Sequence, residues 1–487
     1  MQNPLAITCL AALMGIGIAS AASTPTQNLP KIGTAGGGLI SPREEYIIGR
    51  QIVSQIRKSG GILLDPLLTE YIKELGFSLS APANPDGAPF DFFIVRDRAV
   101  NAFALPGGFI GVNYGLFLET ESESELAGVM AHEVAHVTQR HVARRVEAQK
   151  GLGLKALATM LGAILIGLSG AGADATGAAI SLAQGSAIQD QLDYTRENEY
   201  ESDRVGMSIL YEAGYSPEGM ISFFEKMQAR TRLYGDFVPE YLSSHPLSLS
   251  RISEARTRAR ELPVMPYRVN RSYPYMYARL RALTGDLESQ LLDYFQGTDK
   301  ITNPDARLYG TAVTFNRFRK FEHSIPVLRD LISRHDDIIA FRIDLGEALA
   351  SSDRLGQAIR VYEEAIRLFP RNIPLTLSYA NTLARGNRPK RAEELIVDMI
   401  TNQKVQPENY RLLAFIASEA DNEGDSHFYM SEYYLMLNEP FLAIDQLKLA
   451  LKVKGLTSLQ QARYNARLEE LEKELMSSKG RRHQSRQ

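Results

Sequence analysis

The chain has 487 residues, a formal net charge of −3 and a single cysteine, Cys9. That length suits two or three domains, each with its own core. The small charge gives no reason to expect nucleic acid as a partner, and one thiol excludes a disulfide scaffold.

Residues 1–21 read as a secretory signal peptide. Leu5 to Ile18 is apolar and Ala19-Ser20-Ala21 is an A-x-A cleavage site, so Ala22 would start the mature chain. No Lys or Arg precedes the apolar run. A short membrane anchor is the alternative, and the run is short for a span. Cys9 would leave with the leader. A mature chain without a thiol suits an oxidising compartment.

Residues 22–45 read as a flexible lead-in. Pro42 to Lys58 and Pro66 to Leu79 carry helical spacing. Asn84-Pro85-Asp86-Gly87 is a turn. Phe90 to Val95, Val100 to Leu105 and Phe109 to Val112 read as three short strands. An edge of that sheet could hold a peptide as an added strand, or the strands could simply support the next helix.

That helix carries Met130-Ala131-His132-Glu133-Val134-Ala135-His136. Ser122 and Glu125 fit a capping box, and Leu126, Val129, Met130, Val134 and Val137 give it an apolar face. Positions i and i+4 share a face, so His132 and His136 can reach one metal ion. Glu133 can reach a water on that ion. Zinc is the expected metal, since imidazole and carboxylate donors with one open position suit catalytic zinc. Of the eight histidines, three fall between residues 132 and 141. His141, five residues past His136, lies off the shared face of a continuous helix and is not read as a ligand.

Ala156 to Ala173 and Ala178 to Ala183 are apolar and rich in Ala and Gly. Residues 156–184 read as a helical hairpin on the core, within reach of a membrane or client. A transmembrane hairpin is the alternative, with Asp174 against it.

Tyr194 to Gly206 reads as a helix with Glu199 and Asp203 one turn apart. One carboxylate would be a third ligand, the other a hydrogen-bond acceptor for a liganding histidine. Glu197 and Glu201 have the same spacing, which by itself does not separate the pairs. Ser243-Ser244-His245-Pro246 precedes a helix from Leu249 to Glu261. His245 is either a surface histidine or a group that approaches the metal and blocks or completes the site.

Residues 266–304 read as a connector and 305–476 as paired amphipathic helices. Ile339 to Asn372 fits a 34-residue tetratricopeptide unit through Leu345, Gly346, Ala358, Tyr362, Ala365 and Pro370. A shifted copy has Ala380 and Ala392, a third has Ala443, Leu447 and Ala450, and the unit near 307–338 is degenerate. A plain helical bundle is the alternative. Residues 477–487 form a basic tail, expected to be disordered.

The chain resembles the M48 zinc metallopeptidases that carry C-terminal tetratricopeptide repeats, over nearly the whole mature length. Asn101-Ala102-Phe103-Ala104-Leu105-Pro106-Gly107-Gly108, His132-Glu133-x-x-His136, Glu199-x-x-x-Asp203 and Ser244-His245-Pro246 carry the resemblance. It implies His132, His136 and Glu199 as ligands of one Zn2+, Glu133 as catalytic base with Asp203 beside it in the catalytic machinery, and His245 on a plug loop that caps the zinc. The implied fold is mainly α: an α+β peptidase domain with a small sheet over residues 46–265, then an α-solenoid of repeats. The implied setting is the periplasm. Stalled or unfolded outer-membrane proteins are the implied substrates, and the barrel-assembly machinery is the implied partner of the repeats. The uncharged leader and weak repeats depart from the pattern. A second reading makes the chain mainly a repeat-based chaperone or adaptor with a latent zinc site.

Overall fold

A computed structural model of the chain describes residues 41–84, 87–148, 196–234, 239–268, 270–297, 301–402 and 406–484. The expected signal peptide, the lead-in up to residue 40 and the hairpin of 156–184 lie outside the described residues.

The first helix, Pro42–Lys58, opens with a full capping box: the Ser41 side chain accepts from Glu44 N, and Glu44 accepts from Ser41 N at 2.8 Å. Asp65 caps the second helix, Pro66–Ala83, by accepting from Leu68 N at 3.0 Å. Three strands follow: β1 (Asp91–Val95), β2 (Ala102–Leu105) and β3 (Phe109–Asn113). Their order is β1-β3-β2, with β3 parallel to β1 and antiparallel to β2. Every residue of β3 is buried, as its unbroken apolar run demands of a central strand. Gly107 makes the β2–β3 turn possible: its φ is +77°, and a Cβ there would lie 2.3 Å from Tyr46 Cα.

The helix that holds the histidines is Glu123–Thr138. Leu126, Val129, Met130 and Val134 are fully sealed from solvent, so burial on several sides fixes it rigidly. Ser122 caps it by accepting from Glu125 N at 3.2 Å. The expected capping box is not closed. Glu125 instead accepts from Glu121 N and pairs with Lys226, both at 2.8 Å, because the neighbouring helix Glu218–Tyr234 offers it a cation. A further helix, Arg196–Glu212, lies along the histidine helix. Two more, Glu240–Ser244 and Leu249–Glu261, close the domain around it.

The expected connector holds two helices, Tyr273–Thr284 and Glu288–Gln296. Arg279 on the first is buried and bonds Asp65 through Nε and Nη2 at 2.9 and 2.8 Å. Its Nη1 bonds both oxygens of Asp344 at 2.8 Å, and Tyr309 donates to the same carboxylate at 2.6 Å.

Helix pairs then repeat. Their first members begin at Pro304, Ile339, Ile373, Pro407 and Pro440, a period of about 34 residues that marks a tetratricopeptide-type solenoid. Arg319, Asp353, Asn387 and Asp421 carry the same period as left-handed residues with φ of 60°, 60°, 57° and 55°. Each ends the first helix of its pair. Gly346 lets Tyr362 pack against its helix, since a Cβ there would stand 2.3 Å from the ring. The unit near 307–338, degenerate in sequence, is a regular helix pair, Pro304–Arg317 and Phe321–Arg334. The last helix, Ser458–Gln484, runs through residues 477–484 of the expected disordered tail.

The first helix also meets the solenoid: Arg57 pairs with Glu408 at 2.7 Å, and Ser54 donates to Leu437 O at 2.5 Å. Between β1, the second helix and the repeats lies a cavity of about 400 Å³, lined in part by Leu64, Phe77, Phe92, Ile373 and Leu377. Among the described residues no helix is long and apolar enough to cross a membrane.

Candidate metal centre

His132 and His136, one turn apart on the histidine helix, point Nε2 to a common spot, 3.0 Å from each other. Glu199 comes from the adjacent helix, with Oε2 3.5 Å from His132 Nε2 and Oε1 3.5 Å from His136 Nε2. Gly206 on that helix permits the approach, because a Cβ there would already lie 3.1 Å from His132 Cα. His245 completes the set: its Nδ1 lies 3.3 Å from His132 Nε2. The candidate donor atoms of His132, His136, Glu199 and His245 all lie within 4.8 Å of one another, and all four residues are buried.

Asp203, one turn beyond Glu199, places Oδ1 3.0 Å from His132 Nδ1. That leaves Nε2 of His132 as the free donor atom. Arg251 holds Asp203 in a fork, Nε to Oδ2 at 2.6 Å and Nη2 to Oδ1 at 2.7 Å. Its Nη1 reaches Glu199 Oε2 at 2.9 Å and donates to Pro246 O at 2.6 Å. Arg251 therefore ties the carboxylate helix to the loop of His245.

Glu133 faces the same spot but stands apart from the donor set. Both its oxygens are buried without a standard hydrogen bond, and His245 Nε2 lies 3.4 Å from Oε1. Burial pushes its carboxyl pKa up, against the pull of His245 and His132. Burial would depress His132, yet Asp203 and Glu199 hold it up at about 9. Burial pushes His136 well below the ordinary histidine range. Burial alone would raise Glu199, but the three imidazoles around it hold it well below the carboxylate range.

The donor set fits a divalent cation on charge as well as on distance. Glu133, Glu199 and Asp203 supply three carboxylates and Arg251 one compensating cation, so a 2+ ion brings the buried cluster to neutrality.

Of the rival carboxylates, Glu197 is exposed, whereas Glu201 turns to His141 at 3.0 Å. His141 is not in the donor set, but it is in contact with it: its Nδ1 lies 2.8 Å from His136 Nδ1. The expectation that His141 lies away from His136 assumed one continuous helix. The helix ends at Thr138, Arg140 adopts a left-handed φ of 54°, and the chain turns back beneath His136. Tyr241 was also not foreseen. It is buried, its hydroxyl has no hydrogen bond, and its ring lies 4.8 Å from that of His245.

Residues 66–259 match the profile described as "Peptidase family M48". The chain is 33% identical to the "Beta-barrel assembly-enhancing protease" of Escherichia coli K12, over 97% of this chain and 96% of that one. Identity is also 33% to the "Putative beta-barrel assembly-enhancing protease" of Vibrio cholerae, over 91% and 92% of the two chains. A shorter match, 30% identical over 48% of this chain and 46% of the other, is the "Mitochondrial metalloendopeptidase OMA1" of Arabidopsis thaliana.

Proposed function

Because the chain belongs to peptidase family M48, we propose that it is a periplasmic zinc metalloendopeptidase serving outer-membrane protein assembly. Its substrates are outer-membrane proteins that stall or misassemble. The observation that carries the reading is the convergence of four buried donor groups beside Glu133. Five contacts among them run from 3.0 to 3.5 Å, close to the edge of a tetrahedron around zinc, roughly 3.3 Å for bonds of roughly 2.0–2.1 Å, and all the donor atoms lie within 4.8 Å of one another.

His132, His136 and Glu199 would hold the ion. When bound, it supplies Lewis acidity, lowering the pKa of a water and polarising the scissile carbonyl. Glu133 takes that water's proton and passes it to the leaving amine. Burial raises its pKa above that of an ordinary glutamate, which makes it the stronger base. Asp203 keeps His132 in the Nδ1–H tautomer, and Arg251 keeps Asp203 ionised and fixed. His245 would offer a fourth donor, which would keep the arrangement latent until its loop withdraws.

The repeats supply the surface on which a client or the barrel-assembly machinery would dock. The printed names of the relatives and the full-length match support that role. The test is a metal-loaded preparation incubated with an unfolded outer-membrane protein. Cleavage that disappears on chelation and returns with Zn2+ upholds the reading, and cleavage indifferent to chelation ends it.

A further inference from the structure

Each ligating histidine has a second ring nitrogen, and what that nitrogen meets decides which tautomer is available to the metal. For His132 the partner is Asp203. For His136 it is another imidazole: His136 Nδ1 lies 2.8 Å from His141 Nδ1, His141 Nε2 lies 3.0 Å from Glu201 Oε2, and Arg144 Nη1 lies 3.1 Å from that same oxygen. Ser202 Oγ lies 3.3 Å from His141 Nδ1. His141 is fully buried, and Glu201 sits at the rim.

We propose that His141 and Glu201 are positioning residues that fix the tautomer and ring orientation of His136. This rests on the metallopeptidase reading and adds a second support for the centre, independent of Asp203. Glu201 can only accept, so His141 must carry its proton on Nε2. Nδ1 of His141 is then an acceptor, and His136 must carry its own proton on Nδ1. That leaves Nε2 of His136 unprotonated toward Glu199 and His132, as a ligand atom requires. Arg144 and His141 both donate to Glu201, which keeps it ionised. Donation thus runs outward from the metal position, from His136 to His141 and from His141 to Glu201 at the rim.

The arrangement also accounts for the two pairs of carboxylates at four-residue spacing. Glu199 and Asp203 face the ligand nitrogens and His132. Glu201, between them in sequence, faces the far side of His136 by way of His141. The left-handed residue Arg140 is what returns His141 to that position.

The test uses the full chain, stripped of metal and titrated with Co(II) against a competing chelator. Loss of an outer partner of this kind weakens metal binding by about 10- to 100-fold. H141L should show that loss. H141N, which keeps an acceptor oxygen near His136, should recover much of it, and E201L should show a smaller loss in the same direction. In the Co(II) protein the shifted, exchangeable Nδ1–H signal of His136 should vanish in H141L while that of His132 persists. A filler role would lower the melting temperature of the metal-free protein and leave the affinity of the folded fraction alone. Wild-type affinity in folded H141L, or equal weakening in H141L and H141N, overturns the proposal. E201L with unchanged affinity and signals removes Glu201 from it. Failure of the wild-type protein itself to take up Co(II) or Zn(II) is a different result, and it brings down the metallopeptidase reading as well.

Discussion

His245 meets both halves of the catalytic apparatus at once: its Nδ1 lies 3.1 Å from Glu199 Oε1 and its Nε2 lies 3.4 Å from Glu133 Oε1. One ring therefore lies against both the donor set and the base. Replacing it with alanine frees both. A cap engaged nine-tenths of the time costs about tenfold in apparent activity, so H245A should cleave an unfolded outer-membrane protein at least about tenfold faster. Unchanged or slower cleavage in initial-rate assays would remove the capping role.

Glu133→Gln keeps the shape of the base and removes its proton affinity. Cleavage should fall by roughly 100- to 10,000-fold, while zinc content measured by elemental analysis stays at the wild-type level, because Glu133 stands outside the donor set. Complementation of an assembly defect by E133Q would favour the chaperone or adaptor reading, since only proteolysis depends on the base.

Arg251 is buried against Asp203, Glu199 and the carbonyl of Pro246. Deleting one partner of such a cluster leaves buried charge uncompensated, which costs about 3–5 kcal/mol. R251L should lower the unfolding free energy of the metal-free protein, read from urea titration, by that margin. R251K should recover part of it, since an ammonium keeps the charge but not the two-pronged geometry. Equal midpoints for R251L and wild type would mean that the carboxylates find other partners.

Arg279 bridges Asp65, the cap of a peptidase helix, and Asp344 in the solenoid. R279L breaks both ion pairs and leaves two buried carboxylates unpaired, again at about 3–5 kcal/mol. Chemical denaturation followed by far-ultraviolet circular dichroism should show the loss. Limited proteolysis should open first at residues 266–304.

Glu347, on the helix Ile339–Ser351, keeps one side open to water and accepts from Ser378 at 2.7 Å. Enclosure, with Asp344 nearby, lifts its carboxyl to about 7 from the ordinary 4.5. The folded state therefore binds more protons than the unfolded state between those values, and stability falls as pH rises through that window. E347Q should remove this slope, leaving the variant about 1 kcal/mol more stable than wild type at pH 8 and no better at pH 4; solvent screening keeps the effect well below the full shift. Parallel melting curves across pH would contradict this.

Much of the centre was legible because its signals are local. His132, Glu133 and His136 lie within one and a half helical turns, and the strands before them are short apolar runs set off by turn residues. Asp203 and Glu199 needed a partner helix that spacing could not assign, and the choice between Glu199 and Glu197 rested on resemblance. His141 escaped because a single left-handed residue, Arg140, broke the helix on which its position had been reckoned. Arg251 carried no signal at all: six residues beyond His245 on a charged helix, it reads as a solvated side chain until Asp203 is seen opposite. The first repeat was obscure in sequence because Gly310 packs against Phe295 of the preceding helix rather than against a ring of its own unit.

The solenoid is tied to the peptidase helices at places set apart along it, by Arg279 at its second helix pair, by Arg57 at the start of its fourth and by Ser54 at Leu437. Ties spread over several repeats forbid the swing that a single one would allow. A client segment held by the repeats would then meet Glu133 from a fixed frame, so reach along the captured strand, rather than motion of the captor, would decide where the cut falls.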